Sequence, residues 1–298
     1  MKIFITGGLG FIGRNLCEFF LGQGHHVTAV GTRSSQHLFD HADFRYISAD
    51  TTRKGAWQDA LKDTNAVINL AGKSIFNRWN KRYKKLIYDS RILTTRNIVE
   101  ALPLDHRITL CSASGIGYYG NSGNDILKED SPNADDFLAG ISRDWEAEAL
   151  QAQAKGIRVL TTRFGIVLGK NGGAMEKMIP AFRYFMGGPL GSGKQWFSWI
   201  HLNDLLAAMK FVLEHQDIDG PVNFCAPGAV RNRDFAKTLG MVLNRPAVMP
   251  APGFMLRLVL GEFGTSLLFS QRAIPDKLLH HGFEFKYPEA EAAIRSIV

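Results

Sequence analysis

Cysteine is nearly absent from this chain. Only Cys17, Cys111 and Cys225 occur among 298 residues, far apart and in no CxxC pair. That usage excludes a disulfide framework and a cysteine zinc site, and it points to a reducing compartment. Long apolar runs are missing as well. The first is cut by Gly7 and Gly8, so no signal peptide is read. The most apolar late stretch, 254–269, contains Arg257, Glu262 and two glycines. It falls short of the roughly 20 apolar residues that a bilayer span requires. A cytoplasmic protein with no membrane partner is expected. His37 and His41, and the pairs His25-His26 and His280-His281, have no third ligand at a metal-site spacing, so no metal is expected. No Gly-x-Ser-x-Gly elbow exists, which argues against a serine hydrolase. The run 188–194 is glycine-rich and ends in lysine, but Gln195 follows, so the P-loop spacing fails.

The composition is that of a globular protein, and the length suits one large α/β domain or a domain with a smaller lobe. A net charge of +7 favours anionic ligands such as phosphates. The run Arg78-Trp79-Asn80-Lys81-Arg82-Tyr83-Lys84-Lys85 mixes bases and aromatics as nucleic-acid surfaces do. It leads straight into a helical pattern, and no zinc-finger, RRM or helix-turn-helix signature accompanies it. It reads as a solvated helix start, and nucleic acid is not expected as a partner. A homodimer stays open.

Short apolar runs alternate with amphipathic patterns. Strands are predicted over 2–6, 27–32, 44–48, 66–70, 108–112, 159–168 and 222–226. Helices are predicted over 11–21, 56–61, 82–102 and 138–154. This alternation predicts βαβ units and a Rossmann-type, doubly wound parallel sheet. From 169 the texture changes to glycine-rich loops and proline-broken helices. The division expected is 1–168 with 197–226 as the nucleotide-binding domain, and 169–196 with 227–298 as a smaller, mostly helical C-terminal lobe. His201 and Asp204 are expected to pin the strand-to-helix junction near 201.

The first strand runs into Gly7-Gly8-Leu9-Gly10-Phe11-Ile12-Gly13 and then a helix. Glycines at this spacing allow a tight turn and a close approach of backbone to pyrophosphate, with helix N–H groups facing the anion. The strand, loop and helix context makes this a dinucleotide site. An NAD site usually has an acid at the end of the second strand, to accept from the ribose 2′-hydroxyl. Here that strand ends in Thr32 and Arg33, with no acid before Asp40. A guanidinium binds a 2′-phosphate that a carboxylate would repel. NADP(H) is therefore expected over NAD(H), with Arg33 the main contact and Thr32 beside it.

Several blocks resemble the extended and atypical short-chain dehydrogenase/reductase superfamily. They are the loop 6–13, Ser48-Ala49-Asp50, Asn69-Leu70-Ala71-Gly72, Ser112-Ala113-Ser114 before Tyr118-Tyr119-Gly120, and Trp199-Ile200-His201-Leu202-Asn203-Asp204. Further blocks are similar to its YfcH-like "epimerase family protein" branch, which is NAD-dependent epimerase/dehydratase-like and ends in a domain of unknown function. These are the Trp79 segment, Asp89-Ser90-Arg91, the glycines at 172–173 and 187–193, and Gln271-Arg272. The resemblance implies cofactor contacts from Gly7, Gly10, Phe11, Ile12, Arg33, Leu70, Ala71, Gly72 and Arg91. It implies an adenine-side Asp50, and Ser112, Arg163 and Gly165 near the nicotinamide.

That superfamily uses a Tyr with a Lys four residues later, on one helix face, to move the proton. This chain has no Tyr-xxx-Lys. Phe137 stands where the Tyr would be and Ile141 where the Lys would be. Ser114 is placed for the substrate-binding serine, and Tyr118 or Tyr119 is the substitute acid expected from sequence. The expected function is that of an NADP(H)-binding, nucleotide-sugar-epimerase-like oxidoreductase or epimerase acting on an unidentified small molecule. The rival reading is a non-catalytic NADP(H)-binding sensor or scaffold.

Overall fold

The structure, a computed structural model, describes residues 1–104 and 107–298. Its centre is a seven-stranded parallel sheet. The strands are β1 (Lys2–Thr6), β2 (His26–Gly31), β3 (Phe44–Ser48), β4 (Ala66–Asn69), β5 (Thr109–Gly115), β6 (Arg158–Phe164) and β7 (Gly220–Phe224). Their order is β3-β2-β1-β4-β5-β6-β7. The order reverses between β1 and β4, so the crevice for a dinucleotide opens above the carboxyl ends of those two strands.

The pleat of β1 distributes the core. Ile3 and Ile5 face helices α1 (Phe11–Leu21) and α5 (Leu202–Glu214), packing with Leu16, Phe20, Leu205 and Met209. Phe4 points the other way, into a second core with Val67, Leu110, Ile98 of α2 (Lys81–Ala101) and Ala149 of α3 (Phe137–Leu150). Burying a large aliphatic side chain is worth about 1.5–3 kcal/mol, so these alternating residues fix the sheet between its helix layers. A third core joins Leu168 and Trp199 to α4 (Gly173–Arg183), α6 (Asn232–Leu243) and the C-terminal helix (Ala290–Ile297).

Two predicted elements differ. The run 159–168 is two strands. β6 ends at Phe164, and Ile166–Gly169 leaves the sheet to pair in parallel with Trp199–His201. Gly165 makes the break: a methyl group there would lie 3.1 Å from the Ser198 carbonyl oxygen. β5 runs on to Gly115, past the predicted end at 112, because 112–115 pair with 161–164 of β6. No helix among the described residues is long and apolar enough to cross a membrane.

Candidate nucleotide site and the network beside it

The glycine loop is shaped by contacts that a side chain would destroy. Gly7 has φ +66°, a left-handed conformation that favours glycine. A methyl group at Gly13 would lie 2.3 Å from the Gly7 carbonyl oxygen, and one at Gly8 would lie 2.6 Å from the Ala29 methyl. Helix α1 therefore starts hard against β1 and β2. Its N-cap is Gly10, with no side-chain cap, and its first turn carries no acid. The first-turn amides and the positive end of the helix dipole are left for an external anion. In α2 and α3, by contrast, Asn80 and Asp136 cap the first turn with their own side chains.

The loop after β4 abuts the glycine loop: a methyl group at Gly7 would touch the Leu70 carbonyl oxygen at 3.0 Å. Thr6 Oγ1 accepts from the Leu70 and Ala71 amides (3.2 and 3.3 Å) and donates to Asn69 Oδ1 (2.7 Å). Asn69 Nδ2 donates to Thr95 Oγ1 (2.8 Å) and Ser112 Oγ (3.2 Å). Ser112 is thus fully buried, with its hydroxyl on Asn69. Arg91 Nη1 donates to the Lys73 and Ile87 carbonyls, both at 3.0 Å, and its guanidinium lies 5.1 Å from the Trp145 ring. Burial lowers its pKa to about 10. Arg91 braces the 70–73 loop against α2 and packs on Gly72.

At the far end of the crevice, Thr32 and Arg33 are exposed just beyond β2. Tyr46 donates its hydroxyl to the Arg33 carbonyl (2.8 Å), pinning that turn while the guanidinium stays at the surface. Asp50 is exposed, and its Oδ1 accepts from the Thr52 amide (3.0 Å) and Thr52 hydroxyl (2.7 Å).

Beyond β5 the expected catalytic groups lie in a network that the sequence does not announce. Ser114 stands opposite Arg163 in the β5–β6 ladder, and Glu146 of α3 sits over both. Ser114 Oγ donates to Glu146 Oε1 (2.6 Å). Arg163 donates to both Glu146 oxygens from Nε and Nη2 (2.8 Å each). Its Nη1 donates to Tyr119 Oη (2.8 Å) and to the Glu129 carbonyl (3.0 Å). The Tyr119 hydroxyl donates to Asn223 Oδ1 (2.7 Å). Glu129 Oε1 accepts from the Asn223 and Lys277 amides (3.0 and 3.3 Å). Arg163 is 3% exposed, Glu146 7% and Tyr119 2%. Burial works against charge on Arg163, but the Glu146 carboxylate outweighs it and holds the guanidinium protonated. Burial pushes the Tyr119 phenol up, against the pull of Arg163.

Arg163 and Ser112 are thus buried, with their side chains on protein partners. Tyr119 is sealed, with its oxygen engaged on both sides. Tyr118 differs: half-buried, it carries Arg163 over its ring at 3.5 Å, and its hydroxyl has no protein partner among the described residues. Phe137 and Ile141 join an apolar cluster with Trp79, Ile87 and Phe263. Lys84 Nζ lies 4.4 Å above the Phe137 ring.

Past the short turn 116–119 that carries Tyr118, Gly123 and Asn124 stand in the wall of a cleft of about 880 Å³. Lys194, Arg231 and Arg233 line it together with Pro250, Pro252 and Leu268. Trp196 is held between Arg231 and Arg272, at 4.1 and 4.4 Å. Arg231 donates to Asn124 Oδ1 (2.8 Å). Sequence reasoning missed both this cleft and Glu146. The glycine-rich 187–193 loop and Gln271-Arg272 were visible signals for the cleft. His201 caps α5, its Nδ1 accepting from the Asn203 amide (3.1 Å), and burial pushes its pKa down to about 4. Asp204 accepts from the Lys286 and Tyr287 amides (2.9 Å each), tying the C-terminal lobe to the sheet as well as holding the junction.

Residues 3–225 match the NAD dependent epimerase/dehydratase family, and residues 251–297 match a domain of unknown function, DUF1731.

The chain belongs to the NAD-dependent epimerase/dehydratase family.

Among its curated relatives is "Epimerase family protein SDR39U1 homolog, chloroplastic" of Arabidopsis thaliana, 41% identical over all of this chain and 87% of the relative. Another is "Epimerase family protein YfhF" of Bacillus subtilis, 36% identical over all of this chain and 98% of the relative. Human epimerase family protein SDR39U1, solved with NADPH, superposes with a TM-score of 0.87 at 32% identity, covering 100% of this chain and 99% of that one. A UDP-glucuronic acid 4-epimerase from Bacillus cereus superposes at TM-score 0.82 with 17% identity, over 99% of this chain and 97% of that one, and so shares the fold.

Proposed function

We propose that this family member is an NADP(H)-dependent oxidoreductase or epimerase acting on a small anionic molecule. The observation that carries the reading is the cradle at Gly7, Gly10 and Gly13, with the uncapped start of α1 above it. A backbone this close can meet a pyrophosphate and little else. Arg33, exposed at the end of β2, suits the 2′-phosphate, and the human relative solved with NADPH supports that choice. Bound there, the cofactor would supply hydride exchange. The chain's own residues would hold and protonate the substrate. Lys194, Arg231 and Arg233 would bind its anionic group, and Tyr118, five residues before the first residue that lines the cleft, would donate or accept the proton.

The rival reading, an NADP(H) sensor without turnover, draws on a specific observation. The hydroxyls of Ser114 and Tyr119 are both committed to protein groups. Calorimetric titration with NADPH and NADH at matched salt tests the cofactor, and clear preference for NADPH is expected. A screen of carbonyl and sugar-nucleotide substrates tests the chemistry. Turnover abolished by Tyr118→Phe supports the enzyme. Tight NADPH binding with no turnover across the screen supports the sensor. Binding of neither cofactor sinks both.

A further inference from the structure

Nine exposed large apolar side chains lie in two segments of the C-terminal lobe, 184–186 and 248–259. Helix α7 (Gly253–Leu260) buries none of its residues. Phe254, Met255, Leu258 and Val259 are 70, 48, 73 and 62% exposed. Their spacing makes them one stripe along the helix. The stripe continues backward through exposed Val248 and Met249. The Met249 amide bonds the Gly187 carbonyl (3.1 Å), which brings exposed Tyr184, Phe185 and Met186 alongside. Phe185 holds φ +60°, a strained conformation for an aromatic residue, with Arg245 above its ring at 4.9 Å.

The other end of α7 meets the basic run 78–85. Gly261, which closes the helix, packs on Arg78. Lys84 pairs with Glu262, and Trp79 lies 5.5 Å from Phe263. Arg78, Lys81, Arg82 and Lys85 are exposed beside this edge. The segments that build the face, 73–88, 177–194 and 245–261, carry eleven Lys and Arg and no Asp or Glu; Asp89, Glu176 and Glu262 flank them.

We propose that this face docks on the surface of an anionic lipid bilayer, with α7 lying in the interface. An apolar helix stripe bordered by Lys and Arg is the composition that interfacial helices use. Each basic residue close to an anionic leaflet multiplies partitioning about fivefold. The charge selects this occupant over others. A second copy paired about a two-fold axis would set basic segment against basic segment, and the carboxylates at its edge, Glu262 and Asp89, are already paired with Lys84 and Lys85 of the same chain. RNA would satisfy the charge but leave Met255, Leu258 and Val259 in water. The expectation of no membrane partner rested on the lack of a spanning run, and a surface that lies on the bilayer needs none. Pro250, Pro252 and Gly253 also wall the basic cleft, so docking would hold its mouth at the lipid surface.

The test is co-sedimentation of the full chain with phosphatidylglycerol–phosphatidylcholine vesicles, against phosphatidylcholine alone. Binding to the anionic vesicles, falling with added salt, is expected. Phe254→Ser with Leu258→Ser should weaken it about tenfold or more, and Lys81→Glu with Arg82→Glu by more than about 25-fold. Both variants should keep the parent melting temperature. Leu258→Gln alone repeats the test if the serine pair does not fold. Four results would overturn the proposal, three of them in binding. Those three are no binding to anionic vesicles, equal binding by the apolar variants, and retention on RNA while the vesicles stay unbound. A fourth is a dimer in sedimentation velocity that the apolar variants split, which assigns the face to a second copy.

Discussion

Replacing Glu146 by alanine should destabilise the fold more than any surface change. Its carboxylate receives two bonds from Arg163 at 2.8 Å and one from Ser114 at 2.6 Å, with Arg163 only 3% exposed. Removing it leaves a guanidinium buried with only neutral acceptors, which costs about 3–5 kcal/mol. Unfolding entropy of about 2.1 cal/mol/K per residue implies about 0.6 kcal/mol/K for this length, so the melting temperature should fall by about 5–8 °C. Removing both charges is a different experiment. Glu146→Leu with Arg163→Met takes away the buried ion as well as its partner, and should recover most of the loss. Ser114→Ala deletes one charge-assisted bond and should cost about 1–2 kcal/mol. Calorimetric melting of the four proteins decides the matter. A Glu146→Ala protein that melts within about 1 °C of the parent would refute the buried-pair account. A double variant as unstable as the single one would show that shape, and not charge, is what the network supplies. If Ser114→Ala keeps full stability yet loses turnover, Ser114 acts on substrate and does not merely anchor Glu146.

Three further outcomes are expected. Arg33→Ala should weaken NADPH binding by about 10- to 100-fold, the worth of one or two charge-assisted bonds, and leave NADH binding unchanged; titration of both cofactors checks it. Gly13→Ala should abolish binding of either cofactor, because the new methyl would sit 2.3 Å from the Gly7 carbonyl oxygen and push α1 off the loop; a loss under threefold would contradict the cradle. His201 has its pKa lowered from 6.5 to about 4, so the unfolded chain binds its proton first as pH falls. Its contribution is complete above about pH 6.5 and is lost toward pH 4, a drop of about 3 kcal/mol. His201→Asn keeps a capping side chain and should flatten that part of the stability–pH curve in urea titrations.

What was legible in the sequence was local. The alternation in Ile3-Phe4-Ile5 and the glycine spacing at 7–13 encode their geometry within a few residues, and α1 begins where that spacing puts it. The break at Gly165 was hidden because 159–168 reads as one strand, rich in β-branched residues, and only the approach of Ser198 and Cys225 forces the chain out of the sheet. Glu146 was hidden for a related reason. In Asp144-Trp145-Glu146-Ala147-Glu148 it looks like one more solvated helix charge. Its partners lie 32 residues before and 17 after it, and they meet only because β5 and β6 are neighbours in that register. Tyr119 was overvalued from sequence because chemistry was assigned by residue type, whereas its oxygen is fixed between Arg163 and Asn223.

Helix α3 holds neither a Tyr nor a Lys, and its groups serve other ends. Phe137 and Ile141 join Trp79 and Phe263, so the C-terminal lobe closes over that end of α3 with apolar contact. One turn further on, Glu146 immobilises the serine and the arginine that flank the strand ends. Arg163 in turn stacks on Tyr118 at 3.5 Å. A ring held this way has little freedom, while its hydroxyl keeps no protein partner among the described residues. That is the condition a proton donor needs: fixed in position and free at the reacting atom. If the chain retains chemistry, the buried pair beneath Tyr118 is what would aim it. Loosening that pair by Arg163→Lys should then lower turnover more than it lowers affinity for NADPH.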